Sequence, residues 1–222
     1  MKKAQPAFRV LIADDHSMVR QGIKVVINSL DGWELCGEAA NGRQAVELAK
    51  ELQPDVAVLD ITMPELNGLD ATRQIGECSP RTKVIILTMH ESDALALTVI
   101  KAGARGFVLK NDAPEALPRA LTAVREGRIF FTPKVSDLVM LSLTNPAAMT
   151  QLEEAPRSRL TPREREIVQL LAEGFSNKEA ADRLGISHST IESHRKNVMS
   201  KLKLRSSTEL VRYAIRNNLI QA

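Results

Sequence analysis

The first half of the chain repeats one alternation five times, and that alternation limits its fold more than any other feature. "FRVLIAD" is a short apolar run ending in acids, and "HSMVRQGIKVVINSL" follows with Met18, Val19, Ile23, Val26, Ile27 and Leu30 on one helical stripe. The pattern returns as "WELCGEAA" then "GRQAVELAKEL", "DVAVLD" then "GLDATRQIG", "KVIILTM" then "DALALTVIKAG", and "GFVLK" then "APEALPRALTAVREG". The central strand runs show no polar alternation, so both of their faces are buried. Strands that alternate with helices in this way predict an α/β unit: a five-stranded, mainly parallel sheet with helices on both faces.

In an open α/β sheet the binding site forms beyond the carboxyl ends of the strands. The polar residues at those ends are Asp14 and Asp15 after the first strand, Asp60 after the third, Thr88 after the fourth and Lys110 after the fifth. One such Asp by itself is ordinarily a turn or cap residue. Three carboxylates drawn together repel unless a cation or proton enters, and an all-oxygen set suits Mg²⁺ or Mn²⁺. Lys110 can pair with a carboxylate or an added phosphoryl oxygen, and the Thr88 hydroxyl can donate to that same oxygen. No GxGxxG or GxxxxGK[ST] stretch accompanies them, which argues against a dinucleotide or nucleoside triphosphate site. The remaining reading is a metal-assisted phosphoryl site with a carboxylate nucleophile.

With 222 residues, 44% of them apolar, the chain can build two modest cores. Its net charge of +3 is uneven: residues 157–222 carry 13 Lys or Arg against 7 Asp or Glu, and residues 1–156 carry 17 against 20. The basic surplus at the C-terminal end suits contact with a polyanion. Early charges leave no signal-peptide core, and no run reaches membrane-span length, so a soluble protein of the cytoplasm with no membrane partner is expected. Cys36 and Cys78 form no CxxC pair and read as reduced packing residues.

Three helix starts in the C-terminal part are explicit. "TPRE" at Thr161 and "SNKE" at Ser176 are capping boxes with Glu164 and Glu179, and Ser187 can cap the next helix. Apolar spacing gives inner faces at Ile167, Leu170 and Leu171, at Ala180, Ala181 and Leu184, and at Ile191, Val198 and Leu202. A fourth helix follows in "SSTELVRYAIRNNLI". The second and third are joined by "LGIS", where Gly185 can close a tight turn, so the pair predicts a helix-turn-helix in a small all-α domain. Stepping about 100 degrees per residue from Ile191 puts Ser189, Ser193, Lys196 and Ser200 outward, with Glu192 and Asn197 on the flanks. Such a face suits the major groove. Arg195 lies nearer the inner stripe, within snorkelling reach of phosphate, and Lys201 completes the basic set expected to meet DNA.

The stretches "LIADDH", "VLDITMPELNG", "ILTMH" and "KAGARGFVLK" resemble the receiver domain of two-component response regulators. "LTPREREIVQLLAEGFSNKEAADRLGISHSTIESHRKNVMSKL" is similar to the LuxR-type helix-turn-helix, and the two together resemble the NarL/FixJ class. The resemblance implies that Asp60 is the phosphoacceptor, that Asp15, Asp60 and the Thr62 carbonyl bind Mg²⁺ directly, and that Asp14 acts through a metal-bound water. It further implies that Thr88 and Lys110 contact the phosphoryl group while Phe107 changes packing as Thr88 moves. Asn111 stands where many receivers have Pro after the Lys. The implied partners are a histidine kinase, double-stranded DNA, a second copy of the chain when active, and RNA polymerase as a candidate; the unphosphorylated receiver can cover the DNA helix. The expected division is a receiver at 1–130, a linker at 131–156 and the DNA-binding domain at 157–222. Within the linker, Val135, Leu138, Val139 and Leu141 could line a short amphipathic helix. The expected function is a phosphorylation-controlled, sequence-specific transcription regulator rather than an enzyme. Two other readings stay open: a phosphorylation-independent DNA-binding or scaffold protein, and a small-molecule phosphatase.

Overall fold

The structure, a computed structural model, describes residues 7–89, 93–131 and 160–221. The expected linker helix lies outside these residues. The sheet domain runs β1 (Phe8–Ala13), α1 (Ser17–Asn28), β2 (Trp33–Ala39), α2 (Gly42–Leu52), β3 (Val56–Asp60), α3 (Gly68–Cys78), β4 (Lys83–Thr88), α4 (Asp93–Lys101), β5 (Gly106–Leu109), a 3₁₀ turn at Lys110–Asp112, and α5 (Ala113–Arg125). The strands are ordered β2-β1-β3-β4-β5, and every neighbouring pair is parallel. The expected five-stranded parallel sheet is present.

Strand side chains alternate between two apolar layers rather than between core and water. Leu11, Ala13, Ala57, Leu59, Val84 and Ile86 join the layer that includes Ala45 and Ala49 of α2 and Ile75 of α3. Val10, Ile12, Val56, Val58, Ile85 and Leu87 face the other, with Ile23 and Ile27 of α1 and Leu117, Leu121 and Val124 of α5. Burying each large aliphatic side chain stabilises by roughly 1.5–3 kcal/mol, so the layers fix the strand register firmly.

At the top of the sheet the chain after β3 folds back on its own strand. Asn67 caps α3, its side chain accepting from the Leu69 and Asp70 amides, and the Gly68 amide donates to Ile61 O at 2.7 Å. A Cβ on Gly68 would lie 2.0 Å from the Asp60 carbonyl oxygen. This is a demand for close approach, since the clashing atom is backbone and cannot swing away. Gly76, on the same helix, has nothing within 4 Å of a built Cβ.

The helical domain contains α6 (Pro162–Ala172), α7 (Asn177–Leu184), α8 (His188–Lys201) and α9 (Ser207–Arg216). Both capping boxes form, at Thr161 with Glu164 and at Ser176 with Glu179, and the Ser187 side chain accepts from the Thr190 amide. Gly185 ends α7 in the left-handed conformation, φ 62°, which turns the chain into α8. Two small cores result. Ile167, Leu170, Ala180, Ala181, Leu184 and Ile191 fill one, and Val168, Val198, Leu210, Tyr213 and Ala214 are in the other. Gly68→Ala is expected to destabilise the sheet domain by about 2 kcal/mol or more, whereas Gly76→Ala is neutral or slightly stabilising. Urea unfolding of the two variants measures the contrast.

Candidate functional site

Asp14 and Asp60 are 0% and 3% exposed at the carboxyl edge of the sheet, because β1 and β3 are its central neighbours and deliver their ends beneath the surface. Lys110, directly after β5, reaches over: its Nζ lies 2.7 Å from Asp14 Oδ2 and 2.9 Å from Asp60 Oδ2. Neither of those buried oxygens receives a well-directed hydrogen bond. Asp15 lies further outward, with its carboxylate 2.7 Å from His16 Nδ1. The carboxylates of Asp14 and Asp15 and a His16 ring nitrogen come close enough together to hold one cation. Buried carboxylate oxygens without directed donors, beside a cluster of further carboxylate, fit a hard divalent ion such as Mg²⁺.

Thr88 ends β4 and is 2% exposed, Thr62 follows Asp60 and is half-buried, and Phe107 is fully buried in the sheet layer next to β4. Asp14, Asp60 and Lys110 come together, and Thr88 ends the neighbouring strand at the same edge of the sheet. Sequence reading passed over His16, whose one available signal is its place immediately after the Asp14–Asp15 pair. The substitution of Asn111 for Pro goes with a trans backbone: the described residues contain no cis peptide bond.

Burial pushes the Asp60 carboxyl up to about 6, with the Lys110 ammonium pulling the other way and the charges of Asp14 and Asp15 adding to the rise. Burial alone would lower the Lys110 ammonium, but Asp60 and the contacts to Asp14 outweigh it and raise it. The folded-state value of Asp60 lies above its ordinary one. Its contribution to stability is therefore complete below about pH 4 and is lost as pH rises through about 6. In metal-free buffer, Asp60→Asn should become progressively more stable than the wild type between pH 4 and pH 7, by up to about 3 kcal/mol. Thermal unfolding across that range reads the gap, and a gap independent of pH contradicts the assignment.

On α8, Ile191 and Val198 are buried while Ser189, Glu192, Ser193, Lys196, Asn197 and Ser200 are exposed. Glu192 lies 3.7 Å from His188 Nδ1, one turn back. Two members of the expected DNA set are committed inside the domain. Arg195 donates to Asn177 Oδ1 and Ser207 Oγ, and Lys201 Nζ contacts both carboxylate oxygens of Glu164 at 2.9 and 2.8 Å.

The receiver-covers-helix arrangement suggested by resemblance is not what the described residues show. The sheet domain grips α6 instead. Arg165 forms a two-pronged pair with Asp70, its Nη2 at 2.6 Å and Nε at 2.9 Å from Oδ1. The fully buried Gln169 accepts from the Asn67 amide and side chain at 2.8 and 3.0 Å and donates to Met63 O at 2.8 Å. Glu173 accepts from the Glu65 amide, and Glu166 from Gln74. Burial raises the Glu173 carboxyl, an effect the Gln169 and Glu65 donors oppose. These contacts favour α6 because its polar face matches the polar loop after β3.

A parallel sheet with an acidic pocket at its carboxyl edge, joined to a helix-turn-helix, defines a two-part signalling regulator. Residues 10–122 match the family described as "Response regulator receiver domain", and residues 158–214 match "Bacterial regulatory proteins, luxR family". The oxygen regulatory protein NreC of Staphylococcus epidermidis is 36% identical over 216 residues, covering 96% of this chain and 99% of its own. Among solved structures, the RcsB response regulator of Salmonella typhimurium aligns with TM-score 0.62 and 29% identity over 94% of this chain and 97% of that one. RcsB of Salmonella enterica serovar Typhimurium, bound to promoter rprA in the presence of phosphomimetic BeF₃⁻, aligns with TM-score 0.60 and 30% identity over 93% and 98%. The chain belongs to the response regulators of the NarL/FixJ class, which unite a receiver with a LuxR-type DNA-binding domain. It is a phosphorylation-controlled, DNA-binding transcription regulator.

Proposed function

We propose that Asp60 accepts the phosphoryl group, from a histidine kinase or a small phosphodonor, and that this event controls a C-terminal domain that reads duplex DNA as a homodimer. The observation that carries this reading is the Lys110 ammonium shared between two buried carboxylates at the carboxyl edge of the sheet. We read the pocket as accepting one phosphoryl group, and the protein as an acceptor rather than a turnover enzyme.

An Asp60 carboxylate oxygen attacks phosphorus in line with the departing group. Esterifying Asp60 removes its negative charge, so Lys110 exchanges the carboxylate for a phosphoryl oxygen while keeping Asp14. The Thr88 hydroxyl, at the end of the neighbouring strand β4, donates to another phosphoryl oxygen, and the fully buried Phe107 on β5 registers that shift through packing. The residues that would hold Mg²⁺ are Asp14, Asp15 and Asp60 with the Thr62 carbonyl, and the ion supplies neutralisation of the charge crowded between donor and acceptor. His16 Nδ1 contacts Asp15 Oδ1, one of the two oxygens of that carboxylate.

In the C-terminal domain, Ser189, Ser193, Lys196 and Ser200 face the major groove, with Glu192 and Asn197 on the flanks. Arg195 and Lys201 act by fixing α8 in place unless they exchange their present partners for phosphate. The promoter-bound RcsB relative supports DNA binding by this chain. Two half-sites about one helical turn apart suit a dimer. We retain the domain limits 1–130, 131–156 and 157–222, the cytoplasm as the place of action, and RNA polymerase as a candidate partner of the DNA-bound form.

Asp60→Asn is expected to abolish Mg²⁺-dependent, acid-labile labelling by a phosphodonor; undiminished label would move the acceptor elsewhere. Lys196→Ala is expected to weaken DNA binding and flatten its salt dependence while leaving the thermal unfolding curve unchanged. Equal affinity across a salt series would remove Lys196 from the interface.

A further inference from the structure

The end of the helical domain lies in front of Asp60. A cavity of about 470 Å³ opens there, lined by Asp60, Lys110 and Met89 from the sheet domain and by Ile215, Asn218 and Ile220 from the end of α9 and the segment after it. The grip that keeps the helical domain in this position is concentrated next to the acceptor. Met63, Glu65, Asn67 and Asp70 all belong to the loop and first turn that follow Asp60, and they hold Gln169, Glu173 and Arg165. Asp70 is 3% exposed and Gln169 0%; losing Gln169 takes the acceptor from the buried Asn67 amide, while losing Arg165 removes one of the Asp70 partners and leaves Arg73 and the Asn67 side chain on it. Meanwhile the outward face of α8 stays exposed. The contact therefore does not act by hiding the groove-entering residues; what it restricts is the approach to Asp60.

Resting on the reading of Asp60 as acceptor, we propose that the docked helical domain is a size filter for phosphodonors: it admits a small phosphorylated molecule to Asp60 and obstructs a phosphohistidine carried on a protein. A small donor needs only the cavity. A phosphohistidine arrives on a folded surface, and a specific protein contact covers roughly 800 Å² on each partner, so Ile215, Asn218 and Ile220, which line the cavity in front of Asp60, stand where that surface would have to rest. The chemistry is the same for both. The Asp60 oxygen–phosphorus bond forms as the nitrogen–phosphorus bond breaks, and the electron pair stays on the departing nitrogen. From phosphohistidine the ring, protonated on its other nitrogen, leaves as neutral imidazole. From phosphoramidate protonated on nitrogen, ammonia leaves. Only the first donor requires the helical domain to lift, so the strength of the Arg165–Asp70 and Gln169 contacts sets the protein-donor rate.

The test compares full-length wild type, Gln169→Ala, and the double variant Arg165→Ala with Gln169→Ala. Each is labelled by phosphoramidate and by a phosphohistidine-bearing transfer protein chosen because it labels the wild-type chain. Transfer from the protein donor should rise by about tenfold in the double variant and less in the single one, while the phosphoramidate rate stays within about threefold. The phosphoramidate arm also reports that the variant sheet domain is folded. Protein-donor and phosphoramidate rates that are both unchanged, or that rise together, overturn the filter and leave the Asp60 reading intact. Loss of label in Asp60→Asn confirms that the counted phosphoryl is on Asp60; its persistence overturns the acceptor reading and the filter with it.

Discussion

Two carboxylates sunk into the edge of an apolar sheet, with one ammonium between them, set the terms for the rest of this molecule. Burial disfavours the charge on Asp60, Lys110 favours it, and the balance leaves its carboxyl at about 6. A group poised in this way responds to anything that changes charge within a few ångströms, whether a proton, a divalent cation or a phosphoryl group. The loop immediately downstream is held in place by a glycine that touches the Asp60 carbonyl and by an asparagine cap. That same loop is where the helical domain is gripped. Charge at the acceptor and contact between domains thus meet within one short run of chain.

The sequence made the sheet legible because its two signals agree: apolar runs of strand length, and polar residues only where each run stops. Asp14, Asp60, Thr88 and Lys110 could be brought together without coordinates, since parallel topology forces successive carboxyl ends to one edge. The helix starts at Thr161, Ser176 and Ser187 were legible for a local reason, as a cap involves residues only a few positions apart. The outward face of α8 followed from the buried Ile191 and Val198 by geometry alone.

What escaped the sequence depends on contacts between distant residues. Glu166 and Gln169 fall outside the apolar stripe of "TPREREIVQLL", yet both are buried against partners in the sheet domain, and Glu164, legible as a capping residue, also holds Lys201. No periodicity distinguishes a polar face that meets water from one that meets a polar loop. For the same reason Arg195 and Lys201 read as free cations, though Asn177, Ser207 and Glu164 already engage them. Their side chains are of the type that binds phosphate, and only tertiary structure reveals what they hold.

Glu164 joins more than its own helix. One carboxylate receives the Thr161 amide at the start of α6 and the Lys201 ammonium at the far end of α8. The ordinary acid range of that carboxyl is lowered, against the cost of burial, by Lys201 and Thr161. Since α6 is also the helix that Asp70 and Asn67 hold, its start is a pivot shared by the domain contact and the groove-entering helix. A tilt of α6 leaving the sheet domain would carry α8 along as one lever, without first having to melt or reorder the residues that read DNA.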